Sequence, residues 1–340
     1  MNYCLSHQYA GVLPCPWPLC PNGIGTPAFR FERTDAERKL FYEPDGTPVY
    51  AWMIAGKTTA HTAAQLARRT ILALNGKPTR EDDGYLYHFT SEASVRKILE
   101  SRDFWMTDYR DFPDQGEIRH GVEVARATFK GLAAELHEAT RDLLDAIVTA
   151  PLPEGVYVTC FCMLRESPYH WQEYAKDGSG AALVIDPAGF DTFLSVDQFT
   201  VQFTRVAYTW DDKALLFTAM ARHFDAVIRF DIERSTFLRA SYLREMMQMF
   251  AELLPMCKDV SFLREHEMRI VFSPQQARIA KVSVPAREFN GRRYVTMRDV
   301  VNQFRLPVSQ LILGPSFAGD PTGFAIPREK IRRATDLRSG

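Results

Sequence analysis

The chain has 340 residues, 46% of them hydrophobic and 12% aromatic, so it can bury a sizeable core, and global disorder is excluded. Its 41 basic and 42 acidic residues leave a net charge of -1, so a nucleic-acid partner would need a local basic groove that the sequence does not clearly show. No apolar run is long enough to span a membrane, the start lacks a signal-peptide pattern, and the six cysteines are expected to stay reduced in the cytoplasm.

The first 80 residues differ in composition from the rest and are predicted to form an appendage, 1–80. VLPCPWPLCPNGIGTP predicts an irregular loop, and Pro-Asp-Gly at 44–46 predicts the turn of a hairpin. KTTAHTAAQLARRTILALNGK has helical spacing and would end at Asn75-Gly76. A zinc site is the weaker alternative to incidental thiols in a Pro-rich loop, because the close ligand pairs of zinc motifs are missing from Cys4, His7, Cys15 and Cys20.

From Tyr85 onward strand and helix patterns alternate, which predicts an α+β domain over 81–320 and a tail at 321–340. The predicted strands are YLYHF, FWMTD, GVYVTCFCM, SGAALVID, QFTVQFTRVAYT and QLILGPSF, and HEMRIVFS is predicted to pair with ARIAKVSVP as a hairpin. The predicted helices are SEASVRKILES with Ser91 as N-cap, one long helix over 117–148, PYHWQEYAK, and two more near 213–230 and 235–258. The sequence contains no Gly-rich phosphate-binding loop.

A histidine, His88, lies where the first strand of this domain ends and a helix begins. Such a junction is a common place for the chemistry of an enzyme. A lone histidine there more often bonds a backbone carbonyl or caps the neighbouring helix. Both interpretations stay open on the sequence alone.

Glu265, Glu267 and Arg269 alternate at a period of two, so on a strand they project from one face. The opposite face would carry His266, Met268 and Ile270. Two carboxylates and a guanidinium make a poor core face. The pattern favours either a solvated strand edge or a polar cleft in which a carboxylate engages a ligand hydroxyl or activates a nucleophile.

Two further groups follow predicted strands. His170, Trp171 and Tyr174 fall within one helical turn, where aromatic residues either fill a core or form a stacking wall for a flat ring. Cys160 and Cys162 lie two apart on a strand and point to one face, which is poor geometry for a mutual disulfide. Core filling is the expected role of both thiols.

These motifs, in this order, resemble a bacterial family catalogued as domain of unknown function 2971 (DUF2971). That family shows a YHYTS-like strand, a DP-x-E-x-x-x-G segment, a CFS…W-x-x-Y…G block, an E-x-E-x-R strand and a final GP. The corresponding segments are Tyr87–Ser91, Asp111–Gly121 with Glu117, Cys160–Gly180, Glu265–Arg269 and Gly314-Pro315. The resemblance covers about residues 85–317 and leaves the first 80 outside.

The family in turn resembles the ADP-ribosyltransferase fold, which implies a split mixed β-sheet with surrounding helices and NAD as the substrate. Carried over by position, His88 would hold the adenosine ribose, with Thr90 and Ser91 beside it among the cofactor contacts. Trp171 or Tyr174 would pack by the nicotinamide.

The resemblance also assigns the carboxylates. Glu267 would be the catalytic residue that bonds the 2′-OH of the nicotinamide ribose, Glu265 would orient the acceptor, and Arg269 would complete the cofactor contacts. It implies no metal and no membrane partner, and a toxin or anti-phage effector that modifies nucleic acid or protein. Two departures, a thiol at Cys162 in place of a serine and Phe112 before Pro113, are typical of altered chemistry or an inactive enzyme.

Two alternatives stay open beside the transferase. One is a non-catalytic module of the same fold that binds a ligand or partner. The other is a hydrolase that uses His88 with Glu117, or with a Cys160 or Cys162 nucleophile, and needs no NAD. A thiol inside a strand is more often buried and inert.

Overall fold

A computed structural model describes residues 2–4, 9–11, 59–74, 84–165, 167–190, 201–273, 284–300 and 304–334. The Pro/Cys-rich loop, the hairpin around 44–46 and most of ARIAKVSVP lie outside these residues. None of the helices in the described part combines the length and the apolar character that crossing a membrane requires.

The helices are α1 Thr59–Leu74, α2 Glu92–Ser101, α3 Gly116–Leu132, α4 Glu138–Thr149, α5 Pro168–Glu173, α6 Trp210–Glu233, α7 Arg239–Leu253 and α8 Met297–Val300. The strands are β1 Asn2–Cys4, β2 Tyr9–Gly11, β3 Leu86–Thr90, β4 Trp105–Asp108, β5 Tyr157–Cys162, β6 Ala181–Ile185, β7 Val201–Arg205, β8 Glu267–Phe272, β9 Arg287–Phe289, β10 Arg292–Thr296, β11 Val308–Leu313 and β12 Ile331–Arg333. The secondary structure follows the predicted order from β3 to β8, and α1 and β11 also agree with the prediction, whereas β1, β2, β9, β10, α8 and β12 were not predicted.

Local capping signals account for some of these boundaries. Ser91 caps α2 as predicted, since its side-chain oxygen accepts from the Ser94 backbone N–H. The single helix predicted over 117–148 is wrong, because the chain breaks into α3 and α4. The break is stabilised by a tertiary contact: Asp225 accepts hydrogen bonds from the backbone N–H of His137 and from the Thr140 hydroxyl. His137 then caps α4.

The chain divides into two compact units, each built from three segments. The helical unit comprises Met1–Asn75, Arg119–Pro153 and Thr209–Leu254, and the sheet unit comprises Gly76–Ile118, Glu154–Tyr208 and Pro255–Gly340. In the helical unit, α1 packs against α6 and α7 through a buried, alanine-rich face. A buried ion pair joins Arg68 Nε of α1 to Glu252 Oε2 of α7 at 2.7 Å.

Ten of the described strands form one open, mixed sheet in the sheet unit. Its main path runs β12-β11-β6-β3-β5-β4-β10-β9, and β8 pairs with both β5 and β7. All neighbours are antiparallel except β11 and β12, which are parallel. The last strand, β12, lies in the segment 321–340 that sequence analysis set apart as a tail. The protein is thus an α+β protein, as predicted.

The sheet forks at β5. One edge of β5 pairs with β8 along its whole length. The other edge pairs with β4 only at Tyr157 and Val158, and with β3 only at Cys162. Between these points His88 Nδ1 lies 3.1 Å from the Cys160 carbonyl oxygen, so the imidazole occupies the place of the missing strand partner. β3 and β4 therefore separate at the middle of β5, which gives the sheet a split form.

The two faces of this sheet carry different side chains. Leu86, Phe161, Met268 and Ile270 belong to the large hydrophobic core. The opposite face holds a smaller cluster that includes Tyr87 of β3 and Cys162 of β5. Directly paired residues of neighbouring strands project from the same face, and side chains alternate along each strand. The pairing of β5 with β8 therefore determines which residues of β8 lie on the same face as Cys162.

A close backbone crossing follows β11. Gly314 donates a hydrogen bond to the Gly180 carbonyl at 2.9 Å, and a Cβ on Gly314 would lie 2.1 Å from the Gly178 carbonyl oxygen. Since real Cβ atoms do not approach a backbone oxygen so closely, only glycine fits here.

Gly314→Ala is expected to lower the free energy of unfolding by about 1–3 kcal/mol, because the added methyl overpacks the crossing. A urea titration followed by circular dichroism measures this loss. Gly131→Ala in α3 is the matched control, since its Cβ would meet no atom within 4 Å and alanine favours a helix. Equal losses for the two variants would contradict the close crossing.

Candidate functional site

Four charged side chains form a closed arrangement in the sheet unit, which we call the charge ring: Glu117, Lys258, Glu267 and Arg269. Glu117 Oε1 lies 3.0 Å from Lys258 Nζ, and its Oε2 lies 3.0 Å from Arg269 Nη2. Glu267 Oε2 accepts from Arg269 Nε at 2.8 Å, and its Oε1 lies 3.6 Å from Lys258 Nζ. Each carboxylate therefore bridges the same two cations, and opposite charges alternate around the ring.

Members of the charge ring come from three local structures. Glu267 and Arg269 are two apart on β8, so their side chains share a face. Glu117 lies in the first turn of α3, where the helix dipole favours a carboxylate. Lys258 lies three residues after Pro255, whose carbonyl accepts from Arg269 Nη1 at 2.6 Å.

Both cations of the ring are buried, and the side chain of Arg269 is only 2% exposed. Burial alone would lower the pKa of each cation, but the carboxylate of Glu267, reinforced by that of Glu117, outweighs it and raises the pKa of both Lys258 and Arg269. A buried charge that loses its partner is strongly destabilising. The ring therefore has to remain complete for these cations to stay where they are.

Glu265 is a fifth member attached to the ring through Lys258 Nζ. Its Oε1 accepts hydrogen bonds from the hydroxyls of Tyr169 at 3.2 Å and Tyr174 at 2.9 Å. With Glu265 included, three carboxylates face two cations, so the cluster carries one net negative charge. The two tyrosine hydroxyls stabilise the Glu265 carboxylate by hydrogen bonding and leave this net charge unchanged.

The predicted arrangement of Glu265 on a strand is wrong, although its carboxylate does join Glu267 and Arg269. β8 begins at Glu267, and Glu265 ends a 3₁₀ turn that starts at Val260. His266 between them has a left-handed backbone with φ of 44°, which redirects the chain. The three side chains therefore converge through a turn and a strand rather than along one strand.

The solvated-edge interpretation of this segment is also wrong. β8 lies between β5 and β7, and all six of its residues are buried. Met268 and Ile270 point into the large hydrophobic core, as the alternation predicted. The predicted hairpin partner ARIAKVSVP lies mostly outside the described residues, and the described neighbours of β8 are β5 and β7.

The aromatic residues of the α5 region divide between core and surface. Trp171 is buried, with its ring edge-on to Phe89 at 4.8 Å, in the small apolar cluster. Tyr174 is 42% exposed, and its ring lies 6.3 Å from that of Tyr169. The aromatic pair next to Glu265 is therefore the half-buried Tyr169 and the exposed Tyr174, and Trp171 belongs to the core.

The two thiols of β5 are free and poorly reactive. Burial is the main reason that the pKa of Cys160 and of Cys162 is raised to about 12. Cys162 Sγ lies 3.7 Å from His170 Nδ1, which in turn lies 2.7 Å from the Ser167 hydroxyl. Neither thiol forms a disulfide. This agrees with the predicted core-filling role and disfavours a thiolate nucleophile.

His88 lies on the face of the sheet opposite to Glu267. Tyr87 pairs with Cys162, and Cys162 pairs with Glu267, so these three share a face and His88 projects from the other. Its ring packs edge-on against Phe161 at 5.9 Å, and burial lowers its pKa. The backbone-carbonyl interpretation of His88 is thus the one that the contacts favour.

The other residues predicted beside His88 lie in separate roles. Ser91 caps α2, and the Thr90 carbonyl closely approaches Gly180. Glu117, the partner of His88 in the hydrolase alternative, is held by Lys258 and Arg269, and the described contacts of His88 do not include it. The described contacts therefore bring together Glu265, Glu267, Arg269 and Tyr174, and none of them joins these residues to His88, Thr90, Ser91 or Trp171.

Sequence reasoning missed three participants: Lys258, Tyr169 and Tyr208. Tyr208 accepts from the backbone N–H of Glu267 at 2.9 Å. Lys258 lies at the predicted end of a helix, where a cation is ordinary, so no local pattern singles it out. Tyr169 was detectable, since it falls five residues before Tyr174 in the same aromatic segment.

A scan against protein-family models and searches of curated proteins and of solved structures returned no match. The resemblance to DUF2971 and to the ADP-ribosyltransferase fold therefore stays a prediction. The described residues include no group of three or more His, Cys, Asp or Glu side chains arranged to hold a metal ion. The site is accordingly interpreted from its own geometry.

Lys258→Met is expected to lower the free energy of unfolding by about 3–5 kcal/mol, because Glu265 loses its cation and Glu117 and Glu267 each keep only Arg269. Chemical denaturation measures this loss, and Lys330→Met, at an exposed position, is the control. Adding Glu265→Gln to Lys258→Met should restore part of the loss, since the carboxylate that lost its cation is then neutral. Purely additive losses would contradict the coupling within the cluster.

Stability should also fall as the solution is acidified, because burial lowers the pKa of His170 to about 4. In the unfolded chain histidine binds a proton near its ordinary pKa of about 6.5, so acid below that value favours unfolding. Between about pH 7.5 and 5.5 this one group should remove about 1 kcal/mol of unfolding free energy. His170→Gln should make the dependence shallower by that amount, and identical pH profiles for the two proteins would refute the assignment.

Proposed function

We propose that the chain is an ADP-ribosyltransferase-like protein that uses NAD as its substrate, with Glu267 as the reactive carboxylate. The observation that carries the proposal is the position of Glu267 Oε1. This oxygen lies 3.6 Å from Lys258 Nζ, beyond hydrogen-bond distance, whereas the other three carboxylate contacts of the charge ring are 3.0 Å or less. It is therefore the ring oxygen best able to accept a hydrogen bond from a ligand hydroxyl, and its side chain keeps 10% exposure.

The chemistry of NAD cleavage matches such a group. As the bond between nicotinamide and ribose breaks, the nicotinamide leaves with the bonding electrons and positive charge develops on the ribose. A carboxylate that accepts from the ribose 2′-OH stabilises this charge. The ribose carbon is then attacked by a nucleophile of the acceptor, a nucleic acid or a protein, or by water. Lys258 and Arg269 hold the carboxylate in place.

Tyr169 and Tyr174 would supply the aromatic contact. Tyr174 is exposed, and both hydroxyls are bound to Glu265, so the two rings are held beside the carboxylates. An aromatic face in this position suits the flat nicotinamide ring. Glu265, which the resemblance places next to the acceptor, is fixed by the same hydroxyls.

Two observations favour a second candidate, a non-catalytic module of the same fold. Every carboxylate of the cluster already has a cation partner, and His88 projects from the face opposite to Glu267. An adenosine-ribose contact from His88 therefore has no place beside Glu267. In this second function Tyr169 and Tyr174 would bind a ligand without cleaving it.

The test is a calorimetric titration of the purified chain with NAD, followed by mass spectrometry for released nicotinamide, with wild type and Glu267→Gln side by side. Under the transferase proposal both proteins bind NAD within a few-fold, and the variant releases nicotinamide about 100-fold more slowly, because the group that stabilises the developing charge is gone. The substitution removes one negative charge from a cluster with a surplus of one, so the fold should persist, and a thermal melt checks this.

Glu329→Gln is the matched control, since it makes the same change at an exposed carboxylate. It should behave as wild type. If wild type and Glu267→Gln both bind NAD and neither releases nicotinamide, the binding module is favoured. No binding by wild type at millimolar NAD would overturn the NAD proposal.

A further inference from the structure

Three aromatic rings lie together on the exposed face of the β4, β10 and β9 strands. We call Trp105, Tyr294 and Phe289 the aromatic platform. The Trp105 and Tyr294 rings stack at 4.1 Å with an interplanar angle of 17°, and Phe289 meets Trp105 edge-on at 5.3 Å. Trp105 is 42% and Phe289 is 45% exposed. Large rings are seldom left so exposed side by side on a surface without a role in binding.

The register shows why the platform faces outward. Tyr294 and Thr296 lie on one face of β10, and Thr296 pairs with Trp105 on β4. Val295 points to the opposite face, into the large hydrophobic core. Along the other edge of β10, Phe289 pairs with Arg292, which therefore shares the face of the platform.

A tight turn makes this arrangement rigid. Asn290 and Gly291 join β9 to β10 with φ values of 51° and 73°. Positive φ at both positions is the signature of a two-residue hairpin turn whose twist matches the strands. The sequence EFNGRRY contains this signal, but the hairpin of β9 and β10 was not predicted from it.

Positively charged side chains lie next to the platform. Lys97 Nζ lies 5.5 Å from the centre of the Phe289 ring, and Arg292 projects from the same face. Two nearby acidic residues are either bound to other side chains or point away from the platform. Asp299 is bound to Arg287 and Thr296, and Glu288 pairs with Arg293 in register and so projects from the other face.

We propose that the aromatic platform binds single-stranded nucleic acid. Unpaired bases stack on exposed aromatic rings, and the backbone phosphates between them are attracted to flanking lysine and arginine side chains. A β-sheet surface that carries aromatic rings between cations is suited to this contact. Because the bases of a duplex are stacked inside it, the platform favours single strands over double strands.

Because the net charge of the chain is close to zero, a nucleic-acid partner needs a local basic surface. The aromatic platform with its cations is such a surface. The inference does not rest on NAD chemistry, and it is tested without NAD. Failure of the NAD experiment and failure of this one are therefore distinguishable.

The experiment measures fluorescence anisotropy of labelled oligonucleotides of about 15 nucleotides, a length that suits one stacking surface. Single-stranded DNA, single-stranded RNA and a DNA duplex of the same length are compared. Trp105→Ala and Phe289→Ala should each weaken single-strand binding about tenfold, and Trp105→Phe, which keeps a ring, should retain most of it. Phe289, on the exposed edge strand, provides a test even where replacement of Trp105 harms folding.

The charge contribution is tested separately. Arg292→Gln should lower the slope of log affinity against log salt by about 0.7, the value for one phosphate contact on a single strand. Arg239→Gln is the matched control, since Arg239 is exposed at the start of α7 in the helical unit. Preference of wild type for one of the two single strands would identify it as DNA or RNA.

Three results would overturn the proposal. One is an absence of single-strand binding at concentrations up to about 100 μM, the weak end of non-specific affinity. Another is tighter binding of the duplex. The third is an equal effect of Arg292→Gln and Arg239→Gln, together with no effect of the two alanine variants.

Discussion

The charge ring of Glu117, Lys258, Glu267 and Arg269 is the interaction on which the sheet unit most depends. Its cations are buried, and a buried charge persists only with partners that compensate for lost hydration. By closing the ring, the two carboxylates hold the start of α3, the segment after Pro255 and the first residues of β8 in one place. The proposed chemistry uses the same side chains, so a substitution in the ring affects both stability and activity. Only a near-isosteric substitution changes the activity while the fold is kept.

The fork at β5 imposes a second constraint on the unit. A backbone carbonyl in the middle of a sheet needs a donor, and where β3 and β4 diverge the donor to Cys160 is an imidazole rather than a strand. His88 thereby allows the sheet to split without leaving the Cys160 carbonyl without a hydrogen-bond donor. A histidine could equally well contact a ligand or donate a hydrogen bond to the backbone. Only the position of His88, on the face away from Glu267, distinguishes these two roles.

Much of the candidate site was predictable as residue types and little as geometry. Glu267 and Arg269 pair on one face because a period of two is a property of any strand. Glu265 joins them by a different route, since His266 adopts a left-handed conformation that no alternation pattern reveals. Trp171 and Tyr174 are three apart, yet one is core and the other is exposed, because α5 ends between them.

The sequence by itself determined the α+β class, the order of strands and helices from β3 to β8, the cap at Ser91 and the inward face of β8. These depend on hydrophobic periodicity and on side chains that act within a few residues of their own position. Only the tertiary structure decided the break between α3 and α4, the fork of the sheet and the membership of the charge ring. The sequence could not predict these features because the interacting residues are far apart along the chain. Glu117 and Arg269 are 152 residues apart, and the sequence around a charged residue does not show which partner it will need when it is buried.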